Sequence, residues 1–181
     1  MRKVCCILLL AGLTSAIPAR AQDSAAARPP EARPADVASV EAILAATYDV
    51  ISGPAGTRDW DRFRSLFAPG ARLIPVGCDS TRTTCRSRPR TPEEFARDAG
   101  EYFKNNAFYE REAHRVVEQY GHIAHAFSTY ESRSALDAQP FVRGINSFQL
   151  FHDGERWWVV NIFWNDENAA GAIPAKYLPK N

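Results

Sequence analysis

Residues 143–164, RGINSFQLFHDGERWWVVNIFW, decide the fold. They read as two strands folded about Asp153-Gly154, a dipeptide that favours tight hairpin turns. A two-residue turn there sets Asn146 opposite Asn161, Phe148 opposite Val159 and Leu150 opposite Trp157. Both rows of the second strand are apolar: Trp157, Val159 and Phe163 on one side, Trp158, Val160, Ile162 and Trp164 on the other. A strand that is apolar on both faces is buried on both. The two asparagines sit among large apolar neighbours. Either they satisfy each other as a buried amide pair, or they point into a pocket and orient a polar ligand group.

Working outward, Tyr109 to Gln119 and His122 to Ser134 share the period-two pattern, with a turn at Tyr120-Gly121. Together with Phe141 to His152 and Glu155 to Asn165 they form a four-stranded antiparallel meander. Three helices precede it. DVASVEAILAATYDVISG (residues 36–53) puts Val37, Val40, Leu44, Tyr48 and Ile51 on one face and stops at Gly53-Pro54. TRDWDRFRSLFAPG starts at Thr57, buries Trp60, Phe63 and Phe67, and ends at Pro69-Gly70. TPEEFARDAGEYFKNN opens on a capping box, with Thr91 as cap, Pro92 at the first helical position and Glu94 three residues on. Its buried stripe is Phe95, Ala99, Tyr102 and Phe103. ARLIPVG, between the second and third helices, is a short strand. The class is α+β: a curved antiparallel sheet, its concave face covered by three helices. The helices cover one face only, so the two-sided last strand predicts a homodimer through the outer sheet face.

The chain begins MRKVCCILLLAGLTSAIPARAQ: two basic residues, a short apolar run and the small-x-small site Ala19-Arg20-Ala21. This predicts a signal peptide over residues 1–21 and an exported protein, periplasmic or secreted. The apolar run is too short to span a membrane. Residues 22–35 are rich in Ala, Pro and Arg and read as a disordered tether, leaving 36–181 as one domain. A formal net charge of +1 carries no electrostatic footprint for nucleic acid. In an oxidising compartment Cys78 and Cys85 are expected to form a disulfide that staples a hairpin tip. The sequence has no HxH, HExxH or CxxC motif, no GxSxG elbow and no glycine-rich phosphate loop. It therefore offers no motif for a metal, for covalent hydrolysis or for a nucleotide, and no cofactor is expected.

The helix-helix-strand-helix-meander order, the segment DWDRFRSLFAPGARLIP and the closing DGERWWVVNIFW hairpin resemble the nuclear transport factor 2-like superfamily, of the bacterial SnoaL-like kind. The resemblance covers residues 36–181. It implies a cone-shaped fold with a pocket between helices and sheet, often dimeric through the outer sheet face. Members include isomerases, dehydratases and proteins of no known activity. The leading expectation is an apolar pocket that binds a small, mostly apolar molecule, with Tyr48, Trp60, Asn146, Trp157 and Asn161 as candidate ligand contacts. The alternative is a cofactor-free lyase or isomerase. Its acid/base candidates are His114 and His125, which a two-residue turn puts on one sheet face, and Asp49 beside Tyr48 on the first helix. A third reading is an interaction module whose cavity is filled by side chains. Glu110, Glu112, Glu118 and Glu131 read as rim or surface charges, and Arg82, Arg86, Arg88 and Arg90 as a solvated loop.

Overall fold

The computed structural model describes residues 28–180. The expected leader lies outside the described residues, as does the expected tether up to residue 27. Two helices, α1 (Pro34–Val37) and α2 (Val40–Ile51), share the predicted apolar face; Val37, Val40, Leu44, Tyr48 and Ile51 are all buried. Ser39 separates them and caps α2, accepting from the Ala42 amide at 3.1 Å.

The second predicted helix is shorter than the sequence suggests. α3 (Trp60–Ser65) starts at Asp59, not Thr57, because the Asp59 carboxylate accepts from the Arg62 amide at 2.9 Å. It ends before Phe67, which opens strand β1 (Phe67–Cys78). Pro69-Gly70 thus falls inside a strand, at a break in register, with Gly70 at φ 83°. β1 turns back into β2 (Cys85–Ser87), and Cys78 and Cys85 are disulfide-bonded across that hairpin. α4 (Pro92–Asn105) carries the capping box as read: the Glu94 amide donates to Thr91 Oγ1 at 3.1 Å, and the Thr91 amide donates to the Glu94 carboxylate at 2.8 Å. Of its predicted stripe, Phe103 is buried but Tyr102 is half exposed.

The meander is β3 (Tyr109–Tyr120), β4 (Ile123–Arg133), β5 (Val142–His152) and β6 (Trp157–Asp166). The sheet order is β2-β1-β6-β5-β4-β3. β1 runs parallel to β6, so the sheet is mixed where the sequence suggested a purely antiparallel one. Its concave face packs on the helices. Phe63, Leu66, Phe67, Ile43, Leu44, Phe148 and Val159 are almost fully enclosed there.

Two bulges decide which side chains face the core. In β3, Glu112 pairs with Tyr130 but His114 pairs with Thr129, so Ala113 is the extra residue. In β6, Leu150 pairs with Val159 but Gln149 with Asn161, so Val160 is extra. Beyond each bulge the inward and outward rows exchange. Ile162 and Trp164 therefore face inward, and Asn161 and Phe163 outward, the reverse of the simple alternation.

The turn between β5 and β6 also differs. It spans residues 153–156, because the Asp153 carboxylate accepts from the Glu155 and Arg156 amides at 2.8 and 2.9 Å and holds a wider loop. Between β3 and β4 the two turn residues are Gly121 and His122. After β6 comes a short helix α5 (Glu167–Ala170), and a single 3-10 turn (Ala175–Tyr177) follows. Thr129 on the outer face of β4 donates to the Tyr177 carbonyl at 2.6 Å, and the Tyr177 ring lies 4.9 Å from that of Phe127. The C-terminal segment thus covers part of the outer face.

Candidate functional site

The helices and the concave sheet face enclose a cavity of about 400 Å³. Most of its wall is apolar: Phe95 and Phe103 from α4, Phe108 ahead of β3, and Phe148, Ile162 and Trp164 from β5 and β6. Against this wall stands a small polar floor. Tyr48 reaches it from α2, Glu110 from β3, Tyr130 and Ser132 from β4, Asn146 from β5 and Asp166 from β6.

The Ala113 bulge builds this floor. It turns Glu110 and Glu112 inward, opposite Ser132 and Tyr130. Ser52, just past the end of α2, then fixes the helix against the strand. Its hydroxyl accepts from the Glu110 amide at 2.9 Å and donates to the Tyr48 carbonyl at 2.8 Å, so both floor residues hang from one anchor. Gly144 gives the Tyr130 ring its space. A Cβ at that position would stand 2.6 Å from the Tyr130 hydroxyl and 2.4 Å from the Asn165 carbonyl oxygen.

The hydrogen bonds have one consistent direction. Asn146 Nδ2 donates to the Tyr48 hydroxyl at 3.2 Å, and Tyr48 and Ser128 share a 2.6 Å bond. Ser128 gives its own proton to Glu112 at 2.5 Å, so Tyr48 is the donor to Ser128. Glu112 is paired with Arg115 at 3.0 Å. Glu110 differs. It accepts from Ser132 at 2.7 Å but forms no ion pair among the described residues. Burial among apolar walls pushes its carboxyl up to about 7, while hydrogen bonds from Ser132 and Asn146 hold the rise back. It keeps one side open to the cavity. Burial likewise raises the Tyr48 and Tyr130 hydroxyls above their ordinary value, with the Glu110 carboxylate adding to both.

Of the residues singled out from sequence, Tyr48 and Asn146 line the cavity. The others stand elsewhere. Asn161 does not meet Asn146: the Val160 bulge puts it on the outer face opposite Gln149, while Asn146 is opposite Trp164. Trp60 stacks on Phe103 behind the cavity wall, with ring centroids 6.2 Å apart, and Trp157 is buried in the core outside the lining. Asp49 is exposed and binds Arg62, which also grips Asp36 at 2.7 Å, so it ties α2 to α3. His114 and His125 do share a face, as the two-residue turn implied, but it is the outer one, two pairs apart. His125 Nε2 lies 3.0 Å from Ser147 Oγ. The carboxyl that the structure brings into the cavity floor is Glu110, which the sequence reading had grouped with the rim or surface charges. The mid-strand Gly144 was its best sequence signal, since it marks a close approach on the inward face.

No family model matches the sequence, and no curated protein matches it. Solved structures do. A protein of unknown function with a cystatin-like fold from Nostoc punctiforme is 11% identical; the match covers 70% of this chain and 88% of that one, with a TM-score of 0.52. A Xanthomonas campestris protein named for the calcium/calmodulin dependent protein kinase II association domain is 13% identical over 69% and 83%, with a TM-score of 0.50. A nuclear transport factor 2-like protein of unknown function from Silicibacter pomeroyi is 14% identical over 71% and 93%, with a TM-score of 0.47. The fold is the one these first two structures share, a curved mixed sheet with helices on its concave face. At these identities the likeness is one of backbone, and one fold hosts many chemistries. What this chain does has to come from its own cavity.

Proposed function

We propose that this protein binds a small, mostly apolar molecule in the cavity, with the polar end of the ligand against Glu110, Tyr130 and Asn146. The observation that supports it is the cavity itself: about 400 Å³, walled by aromatic and aliphatic side chains, with a few convergent polar groups at one place. The test is fluorescence titration with the neutral probe N-phenyl-1-naphthylamine. The wild type should bind it, and Ala99→Phe, which fills the cavity from α4, should weaken binding about tenfold or more. Equal binding by both proteins would place the probe elsewhere and overturn the reading.

A second reading, proton transfer at carbon, is favoured by one observation. A carboxyl near 7 in an apolar cavity is matched to taking and returning a proton at neutral pH. Glu110 replaces His114, His125 and Asp49 as the group that would do it. Deuterium exchange into 2-tetralone, followed by NMR, checks this: exchange should depend on the protein and disappear in Glu110→Gln.

The protein is further proposed to be exported and to form a homodimer. The Cys78–Cys85 disulfide fits an oxidising compartment. Among the described residues no helix is long and apolar enough to cross a membrane. The dimer is supported by Ile123, Phe151 and Val160, which remain exposed on the outer sheet face.

A further inference from the structure

The charges around the cavity do not balance. Arg90 is the only basic residue of its lining, and Asp98 already stands against it at 3.4 Å. Two further carboxyls line the same space. Glu110 has only hydroxyl and amide partners, and Asp166 caps α5 through one oxygen, accepting from the Ala169 amide at 3.0 Å. Neither forms an ion pair among the described residues. Glu112 and Arg115, also on this face of the sheet, pair with each other at 3.0 Å, and Arg58 lies behind the wall over the Phe103 ring, donating to backbone carbonyls.

Tyr130 adds an independent observation. It is 5% exposed, it lines the cavity, and its hydroxyl makes no hydrogen bond among the described residues. Burial, then the neighbouring Glu110 and Asp166 carboxylates, hold its proton on. A cavity-lining hydroxyl with no protein partner among the described residues is free to bond a ligand group. Between two carboxylates, its free lone pairs are set to accept from a donor, and an anionic ligand group there would meet two like charges. Phe108 and Trp164 also line the cavity, and aromatic rings attract a cation over their faces.

We propose that the cavity takes an organic ammonium ion, an apolar body carrying a protonated amine, with the amine between Glu110, Tyr130 and Asp166. This rests on the cavity being the binding site and names the class of ligand for it. An ammonium supplies what each group lacks: a counter-charge for the carboxyls and a donor for the hydroxyl. Arg90 stands against Asp98 at 3.4 Å, and its Nε is a buried donor without a partner among the described residues, so the carboxylate probe below tests whether it draws an anion instead.

The experiment is calorimetric titration of the protein at about pH 7.5, where the amine is protonated, with three probes sharing one body: 2-(1-naphthyl)ethylamine, 2-(1-naphthyl)ethanol and 1-naphthaleneacetate. The amine should bind about tenfold or more tighter than the alcohol, and the carboxylate weakest. Glu110→Gln should reduce the preference for amine over alcohol to within about threefold. If alcohol and amine bind equally, or the carboxylate binds best, the ammonium inference is wrong while the cavity stands as a binding site. If none of the three binds, both fall. The ranking in the wild type decides even where the variant does not fold.

Discussion

Glu110 is the residue on which the site turns, and its position makes a pH-dependent prediction. In the unfolded chain its carboxyl ionises near 4.5; in the fold, burial raises that to about 7. Between those values unfolding releases a proton, so the fold loses stability as pH rises from 4.5 to 7, after which the loss is complete. Glu110→Gln removes the ionisable group. The variant should match the wild type near pH 4 and exceed it by roughly 3 kcal/mol at pH 8, measured by urea denaturation at each pH. A gap that is the same at both pH values would mean that Glu110 is solvated. The asparagines give a second test at this scale. Because Asn146 and Asn161 lie on opposite faces, a double-mutant cycle on stability should show coupling below about 0.5 kcal/mol. Coupling above about 1 kcal/mol would restore the direct pair. Asn146→Ala alone should cost about 1–3 kcal/mol, since it strips a buried donor from Tyr48.

The elements were legible where a local signal fixes them. The capping box at Thr91 and the apolar face of α2 follow from residue type and a 3.6-residue period, and the structure has both. The bulges were not legible. Ala113 and Val160 are ordinary strand residues, and a bulge is set by how two strands meet rather than by the residue that bulges. Each shifts a row by one position: Ala113 puts Glu110 and His114 on opposite faces, and Val160 turns Ile162 inward and Asn161 outward, which with the wider turn separates Asn161 from Asn146. The wider 153–156 turn alone would have left the faces unchanged, because it shifts register by two. Gly144 carries the prediction here. Gly144→Ala places a Cβ against the Asn165 carbonyl and the Tyr130 hydroxyl and should cost roughly 2–4 kcal/mol by chemical denaturation. A loss below about 0.5 kcal/mol would show that the two strands are further apart than described.

At the scale of the whole molecule, the last strand is apolar on both faces through a different set of residues than simple alternation gave, and its outer face is only partly covered. The C-terminal segment takes the region around Phe127 and Thr129, and the exposed remainder centres on Ile123 and Phe151. Ile162 is buried inside the cone, so a charge there would unfold the chain rather than probe assembly. Phe151→Glu is the appropriate change, and it should convert a sedimenting dimer to a folded monomer. The account depends most on a ligand-sized, largely apolar cavity whose floor holds a buried carboxyl without an ion-pair partner. The most direct measurement is the titration of the Glu110 side-chain carboxyl by carbon-13 NMR in the wild-type protein, with Glu110→Gln assigning the resonance. The account predicts a midpoint near 7; a midpoint near the ordinary glutamate value of about 4.3 would contradict it.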